Sequence, residues 1–336
     1  MTPTLPASDA HTAVRDAARV CRHVQRGLDR IRSMTKDDRS PVTIADYASQ
    51  AVVARALRGQ VLVAEESAAF LAAPEHRAHL DATVAALRES DVWPDANGDD
   101  VLGAVATVGE PLSRDDGRPW WTLDPIDGTK GFLRGQQYAV ALACITRGRM
   151  VLGLMACPNL SIDHEASVDE ADPRGTMYLG AEGKGVVEWA LGRLDGRRVV
   201  PRGEWSGERT PVLAESVDGG HSDQSLSTKI MAAACGEHRV VRLDSQCKYA
   251  VVARGQADVY LRLPAKRGYV ERIWDHAAGA IIAREAGCIV SDMHGRELDF
   301  GCGRGLDADV GVVVAPPGLH GRIIKAIAAM YEAPAS

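Results

Sequence analysis

The sequence predicts an α/β protein whose first half joins helices to an antiparallel sheet and whose second half is a smaller α/β unit. Three observations carry this: a long amphipathic helix near the start, successive β-hairpins in the middle, and strand-helix alternation after residue 203. At roughly 100 to 200 residues per domain, a chain of 336 residues implies about two domains, placed here at 1–203 and 204–336. Hydrophobic residues make up 46% and charged residues 25%, so disordered, collagenous and coiled-coil readings have no compositional support.

From Ser8 to Met34 the apolar residues Val14, Ala17, Cys21, Val24, Leu28 and Ile31 recur every three or four positions, which predicts one long helix with an arginine-rich polar face. Ser40-Pro41-Val42-Thr43 is predicted to be extended because of its proline, and helical spacing resumes from Asp46 to Leu57, placing Asp46 near a helix start. Gln60 to Ala64 reads as a short buried strand ending in Glu65-Glu66-Ser67, and two helical stretches follow between Ala68 and Ser90. Asp91 to Arg114 is predicted to be an exposed insertion of unknown role. Trp120 to Leu123 is a strand. Tyr138 to Thr146 and Met150 to Cys157 flank the turn Arg147-Gly148-Arg149, and Met177 to Leu179 with Val186 to Trp189 gives a second hairpin. Beyond Arg202-Gly203-Glu204, strand-like Val212 to Ala214, Arg239 to Val241, Val259 to Leu261 and Val310 to Val314 alternate with helical segments.

Lys plus Arg total 39 against 45 Asp plus Glu, a net charge of −6, so no global positive field exists to attract a nucleic acid polymer. The start MTPTLPASDA lacks a basic region followed by an apolar one, and the apolar run near Tyr138 to Ile145 is far short of the ~20 residues a span requires, so neither secretion nor membrane insertion is expected. Cys21, Cys144, Cys157, Cys235, Cys247, Cys288 and Cys302 are odd in number and hold no C-x-x-C pair, which suits a reducing compartment, the cytoplasm.

Chemistry concentrates in Trp121-Thr122-Leu123-Asp124-Pro125-Ile126-Asp127-Gly128-Thr129-Lys130, which leaves a strand and at once presents two carboxylates and a hydroxyl. Proline keeps Asp124 extended and Asp127-Gly128 turns tightly, so the two carboxylates and the Ile126 carbonyl can converge on one point. Ligands that are all oxygen suit a hard cation such as Mg²⁺ rather than zinc. A bare D-x-x-D-G is more often an ordinary acidic turn. The wider pattern decides otherwise.

Asp124-Pro125-Ile126-Asp127-Gly128-Thr129 resembles the signature of the inositol monophosphatase superfamily of Mg²⁺-dependent, lithium-sensitive phosphatases, and Trp274-Asp275-His276-Ala277-Ala278-Gly279 resembles its second signature. Val63-Ala64-Glu65-Glu66-Ser67 and Ser40 to Asp46 are also similar to that family, in the same order and at similar intervals. Within it, Asp244-Ser245-Gln246-Cys247-Lys248-Tyr249 and Tyr260-Leu261-Arg262-Leu263-Pro264 look most like the branch that removes the 3′-phosphate of adenosine 3′,5′-bisphosphate. The resemblance implies a layered αβαβα sandwich. It implies one metal site from Glu65, Asp124 and the Ile126 carbonyl, a second from Asp124, Asp127 and Asp275, and a further metal near Glu65. Thr129 and Asp46 resemble the pair that activates the attacking water. Ser245, Lys248, Arg262 and His221 match positions that hold the nucleotide, with Thr129 and Asp275 also bordering the substrate. Two or three Mg²⁺ ions, inhibition by Li⁺, a small bisphosphorylated nucleotide (or its sulfated analogue) as substrate, and a monomeric state are the resulting expectations.

By itself Asp275 reads as a helix N-cap before His276, Glu65 as an exposed strand-end carboxylate, and Lys266, Arg267 and Arg272 as a solvated basic loop. Gly180 to Gly185 resembles a phosphate loop, but it lacks Ser or Thr after Lys184 and joins two strands, so it is a turn. Gly301-Cys302-Gly303-Arg304-Gly305 precedes a strand where a dinucleotide fingerprint must follow one. Two rival functions are an inositol phosphate phosphatase of the same fold and a catalytically silent nucleotide sensor. The second is disfavoured because Asp46, Glu65, Asp124, Asp127, Thr129 and Asp275 are all present.

Overall fold

The computed structural model describes residues 7–28, 40–193, 195–199, 201–217, 224–264, 266 and 268–332. It has five layers, α-β-α-β-α. The outermost layer holds α1 (Ala7–Arg26), the apolar stripe recognised in the sequence, and α2 (Ser40–Ala56) packed along it. The predicted continuation of α1 toward Met34 lies outside the described residues from residue 29 on.

These helices cover a seven-stranded sheet in which β1 (Leu62–Ala64), β2 (Trp120–Asp127), β3 (Ala139–Thr146), β4 (Arg149–Cys157), β5 (Thr176–Ala181), β6 (Gly185–Ala190) and β7 (Arg197–Arg198) lie side by side in chain order. Only the β1–β2 pairing is parallel. Arg147 and Gly148 both have positive φ, 53° and 76°, which is the two-residue turn whose twist suits a hairpin. The predicted hairpins and the Gly180 to Gly185 turn are thus in place.

A second sheet has the order β12–β14–β10–β8–β9, formed by β8 (Val212–Glu215), β9 (Arg239–Arg242), β10 (Val259–Arg262), β12 (Ile289–Ser291) and β14 (Val312–Ala315). Between the sheets run α8 (Cys247–Ala253) and α9 (Ala277–Glu285), while α7 (Gln224–Cys235) and α10 (Leu319–Glu332) close the far side. Three buried cores match these layers: one under α1 and α2, one around α8 and α9 reaching both sheets, and one beneath α7 and α10. The middle core admits no side chain at Gly153 of β4, where a Cβ would lie 2.9 Å from the Ala278 carbonyl of α9. A two-stranded ribbon of β11 (Val270–Arg272) and β13 (Gly305–Ala308) lies beside the site, and the glycine-rich 301–305 segment leads into β13 as a loop.

Two expectations are corrected. Ser40 to Thr43 is not extended but begins α2, because a proline in the first helical turn surrenders only an N–H that would lack a partner there. Asp46 is therefore not at the helix start but within the second turn, and it is buried. The 91–114 segment is an exposed insertion only in part: α3 (Ala68–Ala72), α4 (Arg77–Glu89) and α5 (Gly98–Val105) pack together, with Trp93, Ala96, Val101, Ala104 and Val105 in the first core, whereas 106–114 buries no residue. Asn97 caps α5 by accepting the Asp100 N–H at 2.9 Å. Periodicity fails there because only one short face of α5 is apolar.

Candidate active site

The site is assembled at strand ends. Ala64 pairs with Leu123, so Glu65 and Asp124 leave adjacent parallel strands side by side. A regular strand would put Asp124 and Asp127, three residues apart, on opposite faces. The ladder to β3 breaks between them, at Pro125 and Ile126, and both line one cleft. Ser49 of α2 fixes the break by donating to the Pro125 carbonyl at 2.9 Å.

Gly128 follows with φ +88° and starts α6 (Thr129–Leu133), which lifts Thr129 to the cleft wall. Glycine is required twice over, since a Cβ at this left-handed residue would stand 2.8 Å from the Ser245 Cβ. Segment 244–246 clamps the two acidic motifs together. Gln246 donates its N–H to Asp127 at 2.6 Å and its side-chain amide to the Trp274 carbonyl at 2.8 Å, while its Oε1 accepts the Gly279 N–H at 2.9 Å. Asp275 is not a helix N-cap as its local sequence suggested; it ends a 3₁₀ turn, Ile273–Asp275, and His276 precedes α9. That turn aims the Asp275 carboxylate at the cleft.

The cleft has a volume of about 500 Å³ and gathers Asp46, Glu65, Asp124, Ile126, Asp127, Thr129, Ser245, Lys248, Arg262 and Asp275 from across 230 residues of chain. His221 and Arg267 lie outside the described residues. Sequence reasoning assigned no role to Gln246, Asp244, Tyr260 or Glu271. Asp244 lines the cleft and pairs with Arg134 at the end of α6. Glu271 carried a readable signal: it is a charged residue in phase with buried Ile273, and so faces inward.

Crowded carboxylates set the electrostatics. Burial, then Asp127, Glu65 and Asp275, push the Asp124 carboxyl well above the usual range. Asp46 rises likewise through burial and then the charges of Glu66 and Glu65. Glu65 is pushed up to about 7 and Asp275 to about 6, burial leading in both, with Arg272 opposing at Glu65 and Arg262 at Asp275. Buried Oδ1 of Asp124 has no hydrogen-bond partner. Converging oxygens that repel one another, one of them orphaned, fit a hard divalent cation held by Glu65, Asp124, Asp127, Asp275 and the Ile126 carbonyl. Cations line the same cleft, with Arg262 3.3 Å from Asp275. Lys248 is buried with Nζ 3.4 Å from the Leu243 carbonyl and 5.4 Å from the Tyr260 ring, and burial pushes its pKa down against the pull of Asp127 and Asp244.

Fold and site define a class. Residues 8–331 match the inositol monophosphatase family, and the chain belongs to that family. Among its relatives, a 3′(2′),5′-bisphosphate nucleotidase of Emericella nidulans is 38% identical over 324 residues, covering 88% of this chain and 90% of that protein. A 3′(2′),5′-bisphosphate nucleotidase of Oryza sativa is 37% identical over 339 residues, covering 95% and 92%. In fold, the chain is similar to CysQ from Bacteroides thetaiotaomicron, a bacterial member of the inositol monophosphatase family, with TM-score 0.58 at 19% identity over 93% of this chain and 97% of that one. Inositol monophosphatase II from Staphylococcus aureus gives TM-score 0.60 at 14% identity over 96% and 92%. Among the described residues no helix is long and apolar enough to cross a membrane.

Proposed function

We propose that this protein is a Mg²⁺-dependent 3′(2′),5′-bisphosphate nucleotidase that hydrolyses adenosine 3′,5′-bisphosphate to adenosine 5′-monophosphate and phosphate. The observation that carries the reading is that one cleft brings together a cluster of carboxylates suited to cations, buried Lys248 and half-buried Arg262. One phosphate is bound for cleavage and the other is held. Relatives named for this activity, aligned over most of both chains, support the same assignment.

Bound Mg²⁺ supplies Lewis acidity, neutralising phosphate oxygens and making water easier to deprotonate. The chain's own residues do the rest. In this reading Thr129 Oγ1 accepts a proton from the attacking water and passes its own to the Asp46 carboxylate, which burial and the Glu66 and Glu65 charges make more basic. Asp127 is held in register by the Gln246 N–H. Lys248 contributes a point charge and Arg262 a planar donor group toward the phosphate that stays, with Ser245 beside them. The 3′-phosphate of 3′-phosphoadenylyl sulfate presents the same scissile group and is a second substrate. Li⁺ inhibits by competing for the cation site. The same reading places its work in the cytoplasm.

Phosphate release with Mg²⁺ from adenosine 3′,5′-bisphosphate, inositol 1-phosphate, inositol 1,4-bisphosphate and fructose 1,6-bisphosphate tests the reading. The nucleotide is expected to lead in kcat/KM by at least about tenfold, the worth of one charged hydrogen bond. A higher value for either non-nucleotide bisphosphate overturns it.

A further inference from the structure

Beside the cleft, the side chains of Tyr249, His276, Glu271 and Arg262 form one chain of hydrogen bonds. Tyr249 Oη of α8 lies 2.8 Å from His276 Nδ1, and His276 Nε2 lies 3.2 Å from Glu271 Oε2 of β11. Glu271 then takes two bonds from Arg262 of β10, Nε to Oε1 at 2.9 Å and a terminal nitrogen to Oε2 at 2.7 Å. The same terminal nitrogen is 3.3 Å from Asp275. Tyr249, His276 and Glu271 are at most 1% exposed.

Glu271, Asp275 and His276 bring possible ligand atoms within 4.8 Å of one another, the spacing of a metal site. Their partners argue against that use. Both Glu271 oxygens are engaged by Arg262 and His276, and both ring nitrogens of His276 are engaged by Glu271 and Tyr249. The cluster points back at Arg262 instead. A guanidinium gripped through two nitrogens by one carboxylate cannot rotate its plane, and that carboxylate is itself immobilised from behind. Asp275 takes a third and longer bond from the same guanidinium, so Glu271 is its principal anchor.

We propose that Glu271, backed by His276 and Tyr249, is the positioning residue that aims Arg262 at the phosphate that is not cleaved, and so determines selectivity for doubly phosphorylated nucleotides. This rests on the reading of Arg262 as a nucleotide contact. None of the three touches the reacting atoms. They act by fixing the plane of the Arg262 guanidinium, which leaves the substrate its clamp.

The test compares adenosine 3′,5′-bisphosphate with adenosine 3′-monophosphate at saturating Mg²⁺, and measures binding of adenosine 5′-monophosphate by calorimetry in excess chelator. Glu271→Gln is expected to raise KM for the bisphosphate about tenfold and to leave kcat within about twofold, with the monophosphate unaffected. The dissociation constant for adenosine 5′-monophosphate rises by a similar factor. Glu271→Asp, which keeps the charge, restores part of the loss. In an Arg262→Ala background Glu271→Gln has no further effect, because the group it positions is gone. Equal losses on both substrates, or additive losses in the double variant, overturn the proposal while leaving Arg262 a contact. Equal losses from Arg262→Ala alone overturn the prior reading of Arg262, and the proposal with it. Should Glu271→Gln fail to fold, Tyr249→Phe removes one buried hydroxyl only; a two- to threefold fall in the bisphosphate-to-monophosphate ratio supports the proposal, and an unchanged ratio overturns it.

Discussion

Asp275→Asn should act with opposite signs on stability and on activity. Without metal, the Asp275 carboxyl is pushed up to about 6, chiefly by burial, with Arg262 opposing and Asp127 adding repulsion. An unfolded aspartate titrates near ~3.9, so between these limits the folded chain binds the proton more tightly than the unfolded one. The group's contribution to stability is therefore complete below about pH 4 and is lost as pH rises through about 6. About two units at 1.36 kcal/mol each make roughly 3 kcal/mol, an upper figure because 20% of the side chain meets water. For a chain of this size that corresponds to ~4 °C in Tm. Asparagine carries no charge, so in excess chelator the variant should melt up to ~4 °C above the parent at pH 8 and level with it at pH 4. Glu65, its carboxyl partly desolvated by the cleft although much of the residue reaches water, adds a smaller, screened contribution in the same direction. Saturating Mg²⁺ should reverse the order, because the cation turns repulsion into attraction for the parent, and phosphate release by the variant should be lost. Thermal melts at pH 4, 6 and 8, with chelator and with Mg²⁺, read this out. A variant that melts below the parent in chelator at pH 8, or a gap that ignores pH, refutes the claim that this carboxylate is held against repulsion to receive a cation.

Thr129→Ala should lower kcat by about 10²- to 10⁴-fold, the usual worth of positioned proton transfer, with a much smaller change in KM; an unchanged kcat makes Thr129 only the first residue of α6. Gly128→Ala forces a Cβ into a backbone with φ +88° and to within 2.8 Å of the Ser245 Cβ. It should cost about 1 to 3 kcal/mol in a urea melt and also depress turnover, since Thr129 follows directly. Parent-like stability in that variant contradicts the close approach of the 128 and 245 segments.

What the sequence made legible has a physical pattern. Asp124, Asp127, Thr129 and Glu65 stand at a strand end or turn, where proline, glycine and acid fall within a few positions, so the local signal and the site coincide. Most strands of both sheets were legible for a similar reason, since alternation and turn chemistry are short-range, but the short edge strands β7 and β12 were not. Pro41 misled because the same residue serves an extended segment and a first helical turn, and only the packing of α2 on α1 selects between them. Trp93 and α5 misled because their burial depends on α2, which is distant in sequence. Glu271, His276 and Tyr249 show the deeper limit. Glu271 shows only an inward phase, His276 and Tyr249 read locally as ordinary turn and helix residues, and their common purpose exists only after β10, β11, α8 and the turn before α9 have been brought together. Ligands that must face a cation can be grouped on neighbouring turns, whereas the side chains that hold an arginine still must approach it from several directions at once. A selectivity device of this kind is therefore distributed along the chain by geometric necessity, and it becomes visible only in three dimensions.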